Sequence, residues 1–202
     1  NFLANKMDEN GVQAAAKTSQ VFLGLQVQCT QCHNHPFNDW KQNQFWEMNA
    51  FFRQTRALRR FAKGTNDIRF VELANEDFGG DGGGNAEEAE LFYEQRNGLL
   101  KAAYPVFLGE ALENRSGYLS DVNRRDELAS KVIRSGDLSK AIVNRMWAHF
   151  LGYGFTKPFD DMGPHNPPTN PDLFQYLAEQ FRDKEYDLKQ LMKWIALSEP
   201  YS

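Results

Sequence analysis

Apolar residues recur at intervals of three and four positions along most of this chain, which is the periodicity of amphipathic helices. The pattern predicts helices over about residues 11–28 and 39–54, one ending at Gly136, and others over 137–152, 170–181 and from 187 onward. Asn170-Pro171 and Asp187 are typical helix-starting residues for the last two. The expected fold class is therefore mainly α, with little strand.

The middle of the chain breaks this pattern. Residues 68–73 read as a short strand or extended run, and the stretch from Gly79 to Asn85 contains five glycines and one aspartate. A single glycine-aspartate stretch is more typical of a flexible linker than of a calcium-binding repeat. We therefore expect two helical lobes joined by a Gly-rich flexible connection. The expected domains are residues 1–63, a connector at 64–103, and a helical second domain at 104–202.

Composition narrows the class of protein. The chain has 202 residues, of which 41% are hydrophobic and 13% aromatic, enough to bury a core without disulfide bonds. The formal net charge is −4, and only one short basic patch stands out, from Arg53 to Lys63. This balance disfavours nucleic-acid binding. No apolar stretch approaches the length of a membrane span.

The segment Cys29-Thr30-Gln31-Cys32-His33 contains both cysteines of the chain and one of its four histidines. The pattern C-x-x-C-H is the attachment signature of c-type haem. Two thiols at this spacing can form thioethers with one porphyrin, and the following histidine can bind the iron. The sequence therefore predicts one covalently attached haem c, held by Cys29 and Cys32, with His33 as the proximal iron ligand.

Other interpretations of this motif stay open. A redox C-x-x-C needs a neighbouring βαβ pattern, and none is visible. A non-haem metal ion (zinc, copper or iron) in a metal-binding or structural interaction module could use C-x-x-C-H-x-H, although ligands so close in sequence strain a tetrahedral site. His35 is an alternative ligand in that case. In the haem interpretation it is a hydrogen-bonding group beside the haem, or simply the residue before Pro36 at a helix end.

The sequence leaves the second axial ligand of the iron open. His149 shares a predicted helix face with apolar residues and is expected to point inward, whereas His165 lies in a proline-rich loop that could cover a haem face. Three methionines are further candidates: Met48, Met146 and Met162. An iron with an open coordination site would instead favour a haem enzyme, so enzymatic activity stays undecided.

Arg145 lies within an otherwise apolar predicted helix. A buried arginine demands a carboxylate partner. Asp160 and Asp161 are the expected partners, and the functional alternative is that Arg145 binds a haem propionate.

Two parts of the chain resemble known domains. Residues 21–37, with Trp40 and Ala50-Phe51-Phe52, resemble the planctomycete cytochrome-like domain of unknown function, which reads FLG-x-Q-x-x-C-x-x-C-H-x-H-P, then W and A-F-F. A second planctomycete domain usually follows the first. The segments of this chain that resemble it are residues 143–149, 152–154, 160–161 and 166–173. The resemblance covers nearly the whole chain except about residues 55–95.

The resemblance implies export, a cytochrome-like character and an association with surface or polysaccharide-related genes, but no established reaction. Asn170 stands where family members often have histidine, so a histidine there is not an obligatory ligand. The connector is short for the family, and members normally continue beyond the last residue, so we expect a fragment of a longer protein. The expectation is an exported protein, periplasmic or at the cell surface, that passes single electrons to an unknown redox partner domain or protein.

Overall fold

The structure is a computed structural model that describes residues 2–7, 9–79, 86–87 and 89–201, with only the backbone of Glu9. The chain divides into two compact units. Unit 1 comprises Asn1–Lys17, Gln28–His35 and Asp39–Ser130, and unit 2 comprises Thr18–Val27, Pro36–Asn38 and Lys131–Ser202. The Gly-rich connection expected at residues 79–85 lies outside the described residues except for Gly79. The residues on both sides of it belong to unit 1.

Six α-helices occur in the described ranges: α1 Val12–Thr18, α2 Gln42–Asn49, α3 Arg124–Arg134, α4 Asp137–Leu151, α5 Pro171–Asp183 and α6 Leu188–Ala196. Shorter 3-10 turns cover Ala4–Lys6, Glu9–Gly11, Gln28–Gln31, Ala50–Phe52 and Glu199–Tyr201. A π-helical turn, Ser19–Leu23, continues α1. Within the described residues, no helix combines the length and the apolar character that crossing a membrane requires.

The described part of the chain also contains three separate two-stranded antiparallel sheets. They pair β1 (Thr55–Phe61) with β2 (Ile68–Asn75), β3 (Leu91–Glu94) with β4 (Leu100–Ala103), and β5 (Val106–Phe107) with β6 (Glu110–Ala111). The mainly α class is therefore wrong, because the fold is mixed α and β, with 43% helix and 15% strand. Strands of two or four residues carry too little alternation to be predicted from sequence. The strand predicted at residues 68–73 is confirmed as part of β2.

Unit 1 has an apolar cluster between α2 and the β3–β4 hairpin. Ala50, Leu91, Tyr93 and Ala103 are buried together, and Trp46 packs against them. Along β3 the buried Leu91 and Tyr93 alternate with exposed residues, as expected for a hairpin with one face covered. This packing brings the start of α2 close to β3.

Unit 2 has its core between α4, α5 and α6. The core contains Ala141, Val143, Trp147, Phe155, Met162, Phe174, Leu177, Phe181, Leu191 and Ile195. The buried amide of Asn144 fixes the loop after α4: its Oδ1 accepts from the backbone nitrogens of Phe155 (2.6 Å) and Thr156 (3.3 Å). Its Nδ2 donates to Thr156 Oγ1 and to the carbonyl of Phe159, both at 2.8 Å.

The ends of the helices agree with the sequence signals in part. Asp187 starts α6 as predicted, because its Oδ1 accepts from the backbone nitrogens of Lys189 (2.9 Å) and Gln190 (3.1 Å). The helix predicted over residues 11–28 ends earlier. Gly24 has a left-handed φ of 66° and terminates the helical backbone before the cysteines.

Candidate functional site

The C-x-x-C-H segment lies in unit 1, at the 3-10 turn Gln28–Gln31 and just after it. Thr30 is fully buried, whereas Cys29, Cys32 and His33 are exposed. The backbone nitrogen of Cys32 donates to the carbonyl of Cys29 at 3.3 Å. The two cysteines, both described, do not form a disulfide. The turn therefore buries its middle and presents both thiols and the imidazole to solvent.

Residues of α2 fix the backbone of this segment. The buried side-chain amide of Gln42 donates to the carbonyls of Gln31 (3.2 Å) and Glu94 (2.9 Å). Trp46 Nε1 donates to the same Gln31 carbonyl at 3.1 Å. The backbone nitrogen of Gln42 donates to Asn34 Oδ1 at 3.0 Å. The chain is thus held both between the two cysteines and directly after His33.

Trp46 connects the segment to the apolar cluster of unit 1. Its ring stacks on Tyr93 with centroids 5.7 Å apart and an interplanar angle of 12°. It also meets Phe45 edge-on at 5.4 Å. Burial, and secondarily the Glu47 carboxylate, raise the pKa of Tyr93. The exposed thiols therefore lie on a well-packed part of the unit, because Trp46, which holds their turn, packs against the apolar cluster.

His33 is oriented by a hydrogen bond to the main chain. Its Nδ1 lies 2.7 Å from the carbonyl oxygen of Asn34. A carbonyl oxygen only accepts, so Nδ1 carries the proton and donates. The neutral ring then has its lone pair on Nε2. This is the arrangement by which a backbone carbonyl sets the tautomer of a metal-binding histidine.

His35 is half-buried and lies in irregular backbone, where its own nitrogen donates to the carbonyl of Trp40 at 2.8 Å. In the described ranges, no group of three or more His, Cys, Asp and Glu side chains is arranged to hold a metal ion. The C-x-x-C-H-x-H residues are therefore close in sequence without forming a ready three-ligand cluster.

The two candidate distal histidines both lie in unit 2. His149 is exposed near the end of α4, with its ring edge-on to Phe150 at 5.9 Å, so the expectation that it points inward is wrong. His165 is largely buried, and its Nε2 lies 3.2 Å from Asp161 Oδ2. Of the methionine candidates, Met48 and Met162 are buried and Met146 is half-buried.

Arg145 and Asp160 lie near the helical segment that precedes the cysteines. The guanidinium group of Arg145 donates to the carbonyls of Val21 (2.9 Å) and Gln20 (3.4 Å). Asp160 accepts from the amides of Gln20 (2.7 Å) and Gln26 (2.8 Å). Burial lowers the pKa of Arg145, and the charge of Asp160 partly offsets this shift. The arginine of α4 and the carboxylate thus anchor the same segment of unit 2.

Sequence reasoning missed the residues that hold the site in place. Gln42 and Asn34 belong to no chemical motif, and their role depends on partners such as Glu94, which is 52 positions from Gln42. Trp46 was visible only as an apolar position of a predicted helix. No local signal identifies such side chains, because their hydrogen-bond partners are main-chain groups that every sequence contains.

The comparisons with known proteins give matches at both ends of the chain. No curated protein and no solved structure matches it. Two family models match parts of the chain, and the description of neither family names a cytochrome, a cofactor or a reaction. Residues 2–57 match the family PSCyt2, described as a protein of unknown function (DUF1549). Residues 124–202 match the family PSD1, also described as a protein of unknown function (DUF1553). Both families are domains of planctomycete-type proteins.

Proposed function

We propose that this chain is an exported c-type haem protein that transfers single electrons. Cys29 and Cys32 form the thioethers, and His33 is the proximal ligand of the iron. The observation that carries the proposal is the hydrogen bond from His33 Nδ1 to the carbonyl of Asn34, at 2.7 Å. It leaves the Nε2 lone pair available, as iron binding requires.

The residues of the segment fit a covalently attached haem. Both thiols are exposed and outside any disulfide, so each is accessible for addition to a vinyl group. Their turn is held by the amide of Gln42 and the indole of Trp46. A buried cysteine pair would have to be uncovered before haem attachment, whereas both of these thiols face solvent.

Within this proposal the protein supplies attachment and orientation. Bound haem provides an iron that accepts and releases one electron. Asn34 fixes the plane and tautomer of the His33 ring through its carbonyl, and Gln42 fixes the backbone between the two thiols.

The test is to export the chain in bacteria that contain the c-type maturation machinery. The purified protein should show a Soret band that survives acid-acetone extraction and a mass increase of one haem. Cys29→Ser and Cys32→Ser should each leave a single thioether, and the double variant should lose all covalent haem. Asn43→Ser, an exposed change on α2, is the matched control and should retain full loading.

A colourless protein with unchanged mass would show that the haem proposal is wrong. Metal analysis of the same sample then distinguishes a zinc, copper or iron site that uses His33 and His35 from a module without metal. If haem is present, oxidised and reduced spectra identify the axial ligands. His149→Ala and His165→Ala should change those spectra only if the replaced residue binds iron, and an unreactive six-coordinate iron argues against a haem enzyme.

A further inference from the structure

The outer half of the β1–β2 hairpin in unit 1 exposes large apolar side chains. Phe61 is 56% exposed, and Ile68 and Phe70 are each 51% exposed. Both strands are buried or half-buried near Thr55 and Asn75 and become exposed toward the turn. In the described ranges these strands pair only with each other. The apolar side chains near the turn therefore add little to the stability of the fold.

The register of the two strands assigns these residues to opposite faces. Phe61 pairs with Ile68, and Arg60 pairs with Phe70, with a bulge between the two pairs. Directly paired residues share a face, and successive residues alternate along β1, the strand that lacks the extra bulge residue. Phe61 and Ile68 therefore share one face with Arg59, while Arg60 and Phe70 lie on the other.

The charges of the two faces differ. On the Phe70 face, Arg60 is neutralised by Glu72, because its Nε and a terminal nitrogen both lie 2.7 Å from Glu72 Oε2. Arg59, Lys63 and Arg69 are exposed around the Phe61–Ile68 pair. Residues 55–75 contain five basic and two acidic residues in a chain whose net charge is −4. The hairpin is thus a local cationic surface with an apolar centre.

Two classes of anionic partner fit this surface poorly. In a lipid bilayer the turn would enter first, and it carries Lys63, Asn66 and Asp67 rather than apolar residues. A nucleic acid is a long polyanion, and the acidic remainder of the chain would repel it. A compact acidic surface avoids both penalties, because its carboxylates need to lie only opposite the hairpin.

We propose that the Phe61–Ile68 face of the β1–β2 hairpin docks an acidic protein surface with an apolar centre. Phe61 and Ile68 fill the centre of the contact. Arg59, Lys63 and Arg69 pair with carboxylates at its edge and accelerate association. This inference is independent of haem attachment.

The test uses the full chain and a dye-labelled peptide of alternating glutamate and leucine, titrated by fluorescence anisotropy. The double variants Arg59→Glu/Arg69→Glu and Phe61→Ser/Ile68→Ser should each weaken binding by about tenfold or more. The control Phe92→Ser/Arg96→Glu makes the same kinds of change on the β3–β4 hairpin, where Phe92 is 62% exposed. It should bind like the unmodified protein.

A second measurement does not depend on variants. In the unmodified protein, bound peptide should protect Lys63 from acylation, as read by mass spectrometry, and leave Lys101 on β4 as reactive as before. The proposal is overturned if the peptide does not bind or does not protect Lys63, or if the control variant loses as much affinity. It is also overturned if a lysine-leucine peptide, anionic vesicles or single-stranded DNA bind more tightly than the acidic peptide.

Discussion

Arg124 is fully buried, and main-chain carbonyls surround its guanidinium group. Its terminal nitrogens donate to the carbonyls of Ala50 (3.3 Å), Ala89 (2.9 Å) and Arg115 (3.1 Å). The group also lies 5.3 Å from the ring centroid of Phe78. Burial lowers the pKa of Arg124 to about 10. One side chain thus joins segments of unit 1 that are up to 74 positions apart in sequence.

We expect Arg124→Met to destabilise the protein by about 3 kcal/mol, because it leaves several buried carbonyls without donors. Arg124→Lys keeps the charge but has fewer donors in a different geometry, so its cost should be intermediate. Urea denaturation measures both. Arg96→Met, in an exposed turn, is the control and should change the free energy of unfolding by less than about 0.5 kcal/mol. Equal losses in Arg124→Met and the control would contradict this role.

Asp137, in the first turn of α4, makes stability depend on pH. Burial raises the pKa of its carboxyl above the ordinary value of 3.8, and Lys140 partly offsets the shift. The folded protein therefore holds this proton more tightly than the unfolded chain does. The resulting stability is complete below the unfolded value and is lost as the pH rises through the folded pKa.

Asp137→Asn should therefore unfold at higher urea concentration than the unmodified protein at about pH 7, because the amide carries no buried charge. The difference should shrink as the pH falls below about 3, where the carboxyl is mostly protonated in both states. A stability gain that is the same at both pH values, or a loss at neutral pH, would show that burial does not govern this group.

At the scale of single elements, the loop after α4 shows how a buried side chain can require glycine at a neighbouring position. A Cβ added to Gly154 would lie 2.6 Å from Asn144 Oδ1, 2.8 Å from Phe159 Cβ and 3.0 Å from the carbonyl of Thr156. Asn144 cannot move away, because its amide is fully used in holding this loop. Two positions earlier, Gly152 has open space around it and a φ of 83°.

These two glycines provide a matched pair of variants. Gly152→Ala should cost about 1 kcal/mol, the penalty for a side chain in a left-handed conformation. Gly154→Ala should cost about 3 kcal/mol, because the buried neighbours must shift. Thermal unfolding of both variants gives the comparison. If Gly152→Ala is the more damaging change, the Asn144 loop is less tightly packed than its contacts indicate.

At the scale of the whole molecule, the segments on either side of the Gly-rich stretch are held together within unit 1. The backbone nitrogen of Phe78 donates to the carbonyl of Gly117 at 2.8 Å, and that of Gly117 donates to Ala86 at 2.6 Å. The buried amide of Gln54 donates to the carbonyls of Gly117 (2.8 Å) and Val122 (3.1 Å). Arg124 adds its bonds to Ala50 and Ala89.

A protease site inserted between Gly82 and Gly83 tests this organisation. After cleavage, we expect the two fragments to elute together under native conditions and to separate only in denaturant, because buried contacts across the cut hold them. Size-exclusion chromatography and mass spectrometry give the result. Fragments that separate without denaturant would instead place a boundary between independent parts at the cut.

Sequence patterns correctly predicted the helices, helix cap and strand that are determined by short stretches of the chain. The C-terminal helices, the Asp187 cap and the strand at residues 68–73 are present because each depends on neighbouring positions along the chain. The β3–β4 and β5–β6 strands were not predicted, since strands this short are stabilised by the packing of residues such as Tyr93 against Trp46. The expectation that His149 points inward was wrong, because the face of α4 on which it lies is half-buried earlier in the helix but exposed at His149.

The sequence by itself determined the candidate chemistry, since two thiols and an imidazole within five residues need no tertiary contact to be adjacent. It also determined the longer helices, whose periodicity is intrinsic. Only the tertiary structure decided that Gln42 and Trp46 hold the cysteine turn, that Arg124 is buried among carbonyls, and that the β1–β2 hairpin exposes an apolar face. Those features depend on groups that lie far apart in the chain and meet only when the core excludes water.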